Sequence, residues 1–300
     1  MSARKLYAQF PLPLILGAVA LLAAVLLSTI QLQAAGASIP HGTVELIADK
    51  QSIAPGHTLN LGLRFTLEKG WHIYWMNPGD SGEPPRVKWD LPQGITAGAI
   101  EWPAPHRLGT TTIVDYGYED AVTLIVPLRA SANAATGSAN IGAELKVLVC
   151  REMCIPGKAQ VSLTLPVETK APESNAHNME IFAAARKRLP QPAPPTWKFC
   201  VATTKDSFVL SVNLGHQITE ATFFPRAESQ ISNATQILTP THNGFQLTLR
   251  KSDQLLQPLD RLEGVLVLSN GRAYSIDVPV GKSAAAVRSH KRRIFSVVES

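Results

Sequence analysis

The cysteines are the residues of this chain best suited to chemistry, and there are three of them. Only three residues separate Cys150 from Cys154. Along an extended strand their Cα atoms would be about 13 Å apart, whereas a disulfide needs roughly 4.4–6.8 Å. A bridge between them therefore requires a strand, a turn through residues 151–153 and a returning strand. Such a pair can carry out thiol-disulfide exchange, in which a thiolate attacks a disulfide sulfur and forms a mixed disulfide.

A Cys150–Cys154 bridge would be a weak structural staple. Closing a loop of about five residues stabilises the fold by roughly 2 kcal/mol in the chain-entropy model, whereas a Cys154–Cys200 bridge would contribute about 4 kcal/mol. A short, exposed and tightly turned pair is typical of disulfides that are reduced and reformed. Two alternatives stay open: a structural clip of the loop, and a soft-metal site that also uses Met153 or one of the eight histidines.

Strand periodicity predicts where these side chains point. Alternate residues from Leu145 to Val149 are aliphatic and are expected in the core, so Cys150 should lie on the opposite face, nearer to solvent. Cys200 follows an apolar run and is predicted to be an inert, buried thiol. His72 lies between two apolar residues and is predicted to be a structural histidine with satisfied hydrogen bonds.

The chain around the cysteines alternates apolar and polar residues with the period of a half-buried strand. This alternation is clearest over residues 59–67, 122–128 and 161–167, with proline- and glycine-rich turns between them. Seven or eight short strands in about 130 residues predict an antiparallel sandwich over residues 38–168. The 22 prolines, 20 glycines and low charged fraction of 17% disfavour helical bundles and disorder.

A second β unit is predicted over residues 196–282, with a hairpin at Asn270–Gly271. Residues 169–195 are expected to be a linker that contains a short helix over 178–189, with Ile181 and two alanines on its apolar side. Residues 283–300 are expected to be a solvated basic tail.

Residues 1–37 are predicted to be a signal peptide or membrane anchor. Arg4 and Lys5 precede a nearly pure apolar run over residues 12–32, and alanines at 35 and 37 fit a cleavage site before Ser38. The apolar run is also long enough to span a bilayer. We therefore expect residues 38–300 in the periplasm, either soluble after cleavage or anchored to the inner membrane.

The net charge of +5 does not indicate a nucleic-acid partner. Arg4 and Lys5 contribute two of these charges, and the basic tail contributes three, so residues 6–285 sum to zero. Without a basic face to follow a phosphate backbone, the sequence argues against nucleic-acid binding.

Several motifs of the first half resemble the periplasmic N-terminal domain of the thiol:disulfide interchange protein DsbD family, nearest to its ScsB-like branch. The resemblance covers residues 44–168, and a weaker one, at 223–225 and 264–271, extends to the second sandwich of that branch. The stronger motifs are Gly70-Trp71-His72-Ile73-Tyr74-Trp75-Met76-Asn77-Pro78-Gly79-Asp80-Ser81-Gly82, Pro84-Pro85, Trp89, Leu91-Pro92, Trp102-Pro103, Pro105, Arg107, Tyr116-Gly117-Tyr118-Glu119, Leu148-Val149-Cys150 and Cys154-Ile155-Pro156-Gly157.

This resemblance implies an all-β protein of two tandem immunoglobulin-like β-sandwiches. It implies that Cys150 and Cys154 form a redox pair, which takes electrons from a membrane-embedded DsbD- or ScsB-type donor and passes them to periplasmic thioredoxin-fold proteins. The activity would be that of a protein-disulfide reductase component without cofactor or metal. A loop over residues 113–120 would cap the pair, with Asp115 and a ring from Tyr116 or Tyr118.

The chain departs from the family in two respects. Its cysteines are closer together, and nothing after Ser300 supplies the membrane and thioredoxin domains of full-size members, so we expect a stand-alone domain. The order of attack stays open, because Lys146 and Arg151 favour a Cys150 thiolate, whereas the family uses its second cysteine. The alternative function is a non-catalytic copper-binding or assembly protein, linked to copper tolerance, that uses Cys150, Met153 and Cys154 as soft ligands.

We predict that residues 38–300 are digested when protease is added to spheroplasts, because positive charges before an apolar segment stay in the cytoplasm. Immunoblotting against the C-terminal half measures the digestion, and a cytoplasmic protein is the control for intact cells. Recovery of the protected chain would contradict export and the redox interpretation with it, since cytosolic thiols are kept reduced.

Overall fold

The computed structural model describes residues 36–109 and 113–281, which form three β-sheets and one helix. Residues 1–35 of the predicted export segment and the whole predicted basic tail lie outside the described residues. In the described part of the chain, no helix is long and apolar enough to cross a membrane.

The first sheet has five antiparallel strands in the order β1-β2-β3-β9-β6. They are β1 (Ala37–Ile39), β2 (Gly42–Ala48), β3 (Thr58–Leu67), β9 (Ala121–Ala130) and β6 (Ile95–Ala97). The alternation read from residues 59–67 is the burial pattern of β3, in which Leu61, Leu63 and Phe65 are fully buried.

The second sheet carries the cysteines and has the order β11-β10-β4-β8-β7, with β5 also paired to β10. Its strands are β4 (His72–Gly79), β5 (Arg86–Asp90), β7 (His106–Gly109), β8 (Val114–Glu119), β10 (Gly137–Cys150) and β11 (Cys154–Val167). Its inner face packs on the first sheet through a shared core that includes Ile73, Leu145 and Val147. The two sheets therefore form the predicted sandwich.

The third sheet has eight strands and closes over a second hydrophobic core. Its main path is β15-β18-β19-β13-β14-β17-β16, and β12 pairs with β19. The strands are β12 (Gln191–Pro192), β13 (Lys198–Thr203), β14 (Ser207–Asn213), β15 (Ala221–Pro225), β16 (Ile237–Thr241), β17 (Gly244–Arg250), β18 (Arg261–Leu268) and β19 (Ala273–Gly281). The predicted hairpin at Asn270 joins β18 to β19, with Gly271 at a φ of 76°. The predicted all-β class of two sandwiches is thus confirmed.

The helix α1 (Met179–Arg188) packs on the outer side of the first sheet. Phe182 is fully buried against Ile47 and Ile125, and Gly62 leaves room for its ring. The sequence predicted Ile181 and the alanines as the buried side of the helix and missed Phe182. The helix is short, so its sequence contains too few turns to identify the buried face. The domain limits inferred from sequence stay a proposal, although α1 is attached to the first sandwich.

Apolar contacts also join the two sandwiches. The rings of Trp75 and Tyr116 lie 6.2 Å and 5.1 Å from the ring of Phe224, measured between centroids. Phe224 and Val265 from the third sheet belong to the first hydrophobic core rather than the second. The second sandwich therefore covers part of the first one next to β4 and β8.

The prediction that Cys200 is buried is wrong. Cys200 is exposed on β13, whereas its neighbour Val201 is fully buried in the second core. Successive residues of a strand point to opposite faces, so the apolar run around Cys200 did not reveal which face it occupies.

We predict that Cys200→Ser changes the free energy of unfolding by less than about 0.5 kcal/mol, because a surface substitution removes no packed atoms. Chemical denaturation measures this, and the variant should retain the wild-type redox titration of the remaining pair. A variant that lost the Cys150–Cys154 bridge would show that the pairing is wrong.

Candidate functional site

A disulfide joins Cys150 and Cys154 at the tip of the hairpin formed by β10 and β11, and their Cα atoms lie 4.1 Å apart. The strands pair antiparallel over their whole length, and the two cysteines are the last pair of the ladder. The turn between them is closed by a hydrogen bond of 3.1 Å from the Arg151 amide to the Met153 carbonyl oxygen. The predicted strand, turn and returning strand are thus present.

The two sulfurs have different access to solvent. Cys150 is only 2% exposed, whereas Cys154 is exposed. Cys150 occupies the predicted face, opposite Val149, but it was wrongly expected near solvent. It lies between two strands, because it also pairs with His72 of β4, while Cys154 begins the edge strand β11.

The side chain at the exposed sulfur is Tyr74, which the sequence analysis did not select. Its hydroxyl lies 3.4 Å from Cys154 Sγ. Ile73 and Trp75 point into the core, so His72 and Tyr74 share the other face of β4 with the disulfide. The alternation in residues 71–75 contained this information, but it could be used only once the pairing of β4 with β10 was known.

A glycine-flanked loop rests on the Tyr74 ring. We call residues 79–82 the Tyr74 loop. A Cβ atom on Gly82 would collide with the Tyr74 ring, so only glycine allows this close approach, and its φ of 85° also favours glycine. The ring is therefore confined between the loop and the hairpin tip.

Asp115 connects this loop to the sheet. The Ser81 hydroxyl donates to Asp115 Oδ1 at 2.9 Å, and the Ser81 amide donates to the same oxygen at 3.1 Å. Burial raises the pKa of Asp115, while the hydrogen bonds from Ser81 and the nearby His72 act in the opposite direction. The carboxylate thus accepts two hydrogen bonds on the face of the sheet that carries the disulfide.

The pKa shifts of Tyr74 and His72, the neighbours of the disulfide on β4, indicate which of them carry protons at neutral pH. Burial raises the pKa of Tyr74, so its hydroxyl keeps its proton at neutral pH and can donate to a sulfur. Desolvation lowers the pKa of His72, although Asp115 and Glu119 oppose that shift. The hydrogen bonds of His72 were expected to be satisfied, but its Nε2 is buried and has no hydrogen-bond partner among residues 36–109 and 113–281.

The three residues predicted to cap the disulfide lie on different faces of β8. Asp115 lies at the site, but the rings of Tyr116 and Tyr118 are fully buried in the core, on the opposite face of β8. The Tyr118 hydroxyl donates to the Pro103 carbonyl oxygen at 2.7 Å. A capping role for these residues stays a prediction, and the tyrosine in contact with a sulfur is Tyr74.

The charged side chains of the turn between the cysteines, Arg151 and Glu152, form an ion pair. The Arg151 guanidinium bonds Glu152 at 2.7 Å and lies 5.1 Å from the centre of the Trp71 ring. Its charge therefore contributes less to thiolate formation at Cys150 than the sequence suggested. In the described ranges 36–109 and 113–281, no group of three or more His, Cys, Asp or Glu side chains is arranged to hold a metal ion.

Comparisons with known proteins agree with this geometry. The family model of the N-terminal domain of thiol:disulfide interchange protein DsbD matches residues 43–166. Among solved structures, the N-terminal periplasmic domain of ScsB from Proteus mirabilis matches with a TM-score of 0.63 and 19% identity, over 83% of this chain and 98% of that one. Comparison with curated proteins gives no significant match.

The family match lies in the part of the chain that forms the first sandwich, and the structural match covers 83% of the chain. The family is one of thiol-disulfide interchange, and residues 43–166 contain both cysteines of the disulfide. Residues 43–166 therefore match the N-terminal domain of the DsbD family, and this part of the chain has an immunoglobulin-like fold.

Proposed function

We propose that this protein relays electrons in the periplasm from a membrane-embedded donor to thioredoxin-fold proteins through the Cys150–Cys154 pair. The observation that carries the proposal is the asymmetry of the disulfide, in which one sulfur is exposed and the other is 2% exposed. An exchange reaction needs one sulfur that a partner can reach and one that is retained to resolve the mixed disulfide.

Cys154 is the sulfur that meets partners in this proposal. In the loading step a donor thiolate attacks Cys154 Sγ, the S–S bond breaks, and Cys150 leaves as a thiolate and takes up a proton. The second donor thiol then attacks the donor sulfur of the mixed disulfide. The donor leaves as a disulfide, and the pair has gained two electrons and two protons.

The delivery step reverses these roles. The Cys154 thiolate attacks a disulfide of the target and forms a mixed disulfide. Cys150 then attacks Cys154 Sγ, re-forms the intramolecular bond and releases the target as a dithiol. Because Cys150 and Cys154 are directly opposite each other in the ladder, resolution needs no large movement of the chain.

The hairpin supports this cycle because its stability depends only weakly on the disulfide. The bridge closes only a small loop, which contributes roughly 2 kcal/mol, whereas β10 and β11 are paired over 14 residues each. Reduction therefore leaves the strands in place. A structural clip would be expected where the chain lacks other restraints.

Tyr74 has a defined task in the proposed cycle. Its hydroxyl, 3.4 Å from Cys154 Sγ, can donate a hydrogen bond to the thiolate of the reduced pair. A hydrogen bond to the charged form lowers the pKa of a thiol, which raises the fraction of thiolate available for attack.

We predict that Cys150→Ser captures partners and that Cys154→Ser does not, with Cys200→Ala in both variants to remove the other exposed thiol. The single Cys154 can attack a target disulfide but cannot be displaced, whereas Cys150 is buried. Non-reducing electrophoresis of periplasmic extracts and mass spectrometry measure the adducts.

The control for this experiment is the redox titration of the Cys200→Ala protein against glutathione, which should show a reversible two-electron transition. A bridge that resists reduction, with no adduct in either variant, would support the structural clip instead. Tight binding of Cu(I) by the reduced protein without adducts would support the copper-binding alternative.

We predict that Tyr74→Phe raises the thiol pKa of Cys154 by about one unit, equivalent to about 1.4 kcal/mol, because one hydrogen bond to the thiolate is lost. The pH dependence of alkylation by iodoacetamide measures this in the Cys150→Ser, Cys200→Ala background. Tyr274→Phe in the second sandwich is the matched control. An unchanged alkylation midpoint would exclude a hydrogen bond from Tyr74 to the thiolate.

A further inference from the structure

The second sandwich reaches the disulfide site through the loop that rests on Tyr74. At the start of this connection, the Asn77 side chain donates to the carbonyl oxygens of Pro225 at 2.8 Å and Ala227 at 3.2 Å. The Oδ1 atom of Asn77 accepts from the Gly79 amide at 3.1 Å. The end of β4 is thus hydrogen-bonded to the end of β15 and the residues after it in the second sandwich.

Asn233, between β15 and β16, makes a second and more direct connection. Its Nδ2 donates to Asp80 Oδ1 at 2.8 Å, and its Oδ1 accepts from the Tyr116 hydroxyl at 2.6 Å. Arg107 Nη2 donates to its carbonyl oxygen at 2.5 Å. The side-chain amide of Asn233 therefore binds the Tyr74 loop through its nitrogen and β8 through its oxygen.

The donor and acceptor roles in this network are fixed. The Asp80 carboxylate can only accept, so the amide nitrogen of Asn233 faces it and the amide oxygen accepts from the Tyr116 hydroxyl. Burial raises the pKa of Tyr116 to about 12, so this hydroxyl keeps the proton that it donates. The other carboxylate oxygen of Asp80 accepts from the Val114 amide at 2.8 Å.

The Tyr74 loop needs such external restraint. Gly79 and Gly82 flank Asp80 and Ser81 with φ values of 95° and 85°, and glycine has little conformational preference of its own. Asp80 and Ser81 are exposed, so packing does not hold them. Their position depends on hydrogen bonds to β8 and to Asn233.

We propose that Asn233 is a positioning residue for the thiol-disulfide site: it holds the Tyr74 loop, and the loop holds the Tyr74 hydroxyl at Cys154. The second sandwich would thereby set the reactivity of a cysteine that it does not touch. This inference deepens the proposed function and rests on it, but it concerns the reactivity of one thiol and can be tested without a partner.

The titratable groups around Cys154 must be considered in any test by pH. On β4 these are His72 and Tyr74, on β8 they are Asp115 and Glu119, and on the turn Arg151 pairs with Glu152. Asn233 and Asn270 carry no titratable proton. Replacing either one by alanine therefore changes the titration of Cys154 only through the structure.

The first experiment uses Asn233→Ala in the full chain with Cys150→Ser and Cys200→Ala. We expect the alkylation midpoint of Cys154 to rise in the same direction as with Tyr74→Phe, with a thiolate fraction at neutral pH about threefold lower. Hydrogen exchange at the amides of residues 80–82 should become faster. Asn270→Ala, which removes a turn hydrogen bond in the second sandwich, is the matched control and should change neither value.

The second experiment exchanges the two partners. Asn233→Asp alone places two carboxylates together and should give at least the effect of Asn233→Ala. Combining it with Asp80→Asn again places a hydrogen-bond donor opposite an acceptor and keeps an oxygen that accepts from the Tyr116 hydroxyl. Because the geometry is preserved, the alkylation midpoint of Cys154 should return to within about 0.2 pH units of its value before the two substitutions.

The outcomes separate this inference from the proposed function. An unchanged midpoint in Asn233→Ala would overturn the inference, whether or not hydrogen exchange became faster, and would leave partner capture by Cys150→Ser unaffected. Failure of the exchanged pair to recover would also overturn it. A midpoint that moves and recovers, in a protein that captures no partner, would support the inference and contradict the relay.

Discussion

The antiparallel register between β10 and β11 is the constraint on which the site depends. It pairs Gly137 with Val167 at one end and Cys150 with Cys154 at the other. A shift by one residue would turn Cys150 into the core and Val149 out of it, so burial of the aliphatic face fixes the register. The same pairing holds the sulfurs close together whether or not they are bonded. A pair held in this way can change its redox state while the sandwich keeps its shape.

The asymmetry of the pair follows from the position of the hairpin in the sheet. β10 is an inner strand and pairs with β4 at Cys150, whereas β11 is an edge strand and leaves Cys154 open to solvent. One strand order therefore provides both a protected sulfur and an accessible one. This difference in exposure follows from the strand order and does not require a charged side chain.

The sequence predicted the sandwich, the turn between the cysteines and the face of Cys150, because each depends on short-range periodicity or spacing. It did not predict the burial of Cys150, the exposure of Cys200 or the contact of Tyr74 with a sulfur. These depend on which strands are neighbours, and β4 lies about 80 residues from the hairpin tip. Asn233 lies 153 residues from Asp80 in sequence, and an asparagine in a turn-rich segment gives no sign of a distant partner. The periodicity of the sequence thus shows which face of a strand is buried but not which distant strands are its neighbours.

Two kinds of contact join the sandwiches, and they differ in strength. The packing of Phe224 and Val265 into the first core removes large apolar side chains from water, which is worth roughly 1.5–3 kcal/mol for each fully buried side chain. The bond from Asn233 to Asp80 is exposed, and a single hydrogen bond of this kind contributes about 1 kcal/mol or less. The sandwiches can therefore stay packed while the Tyr74 loop exchanges its hydrogen bonds. This hierarchy allows the environment of Cys154 to change without separating the two halves of the protein.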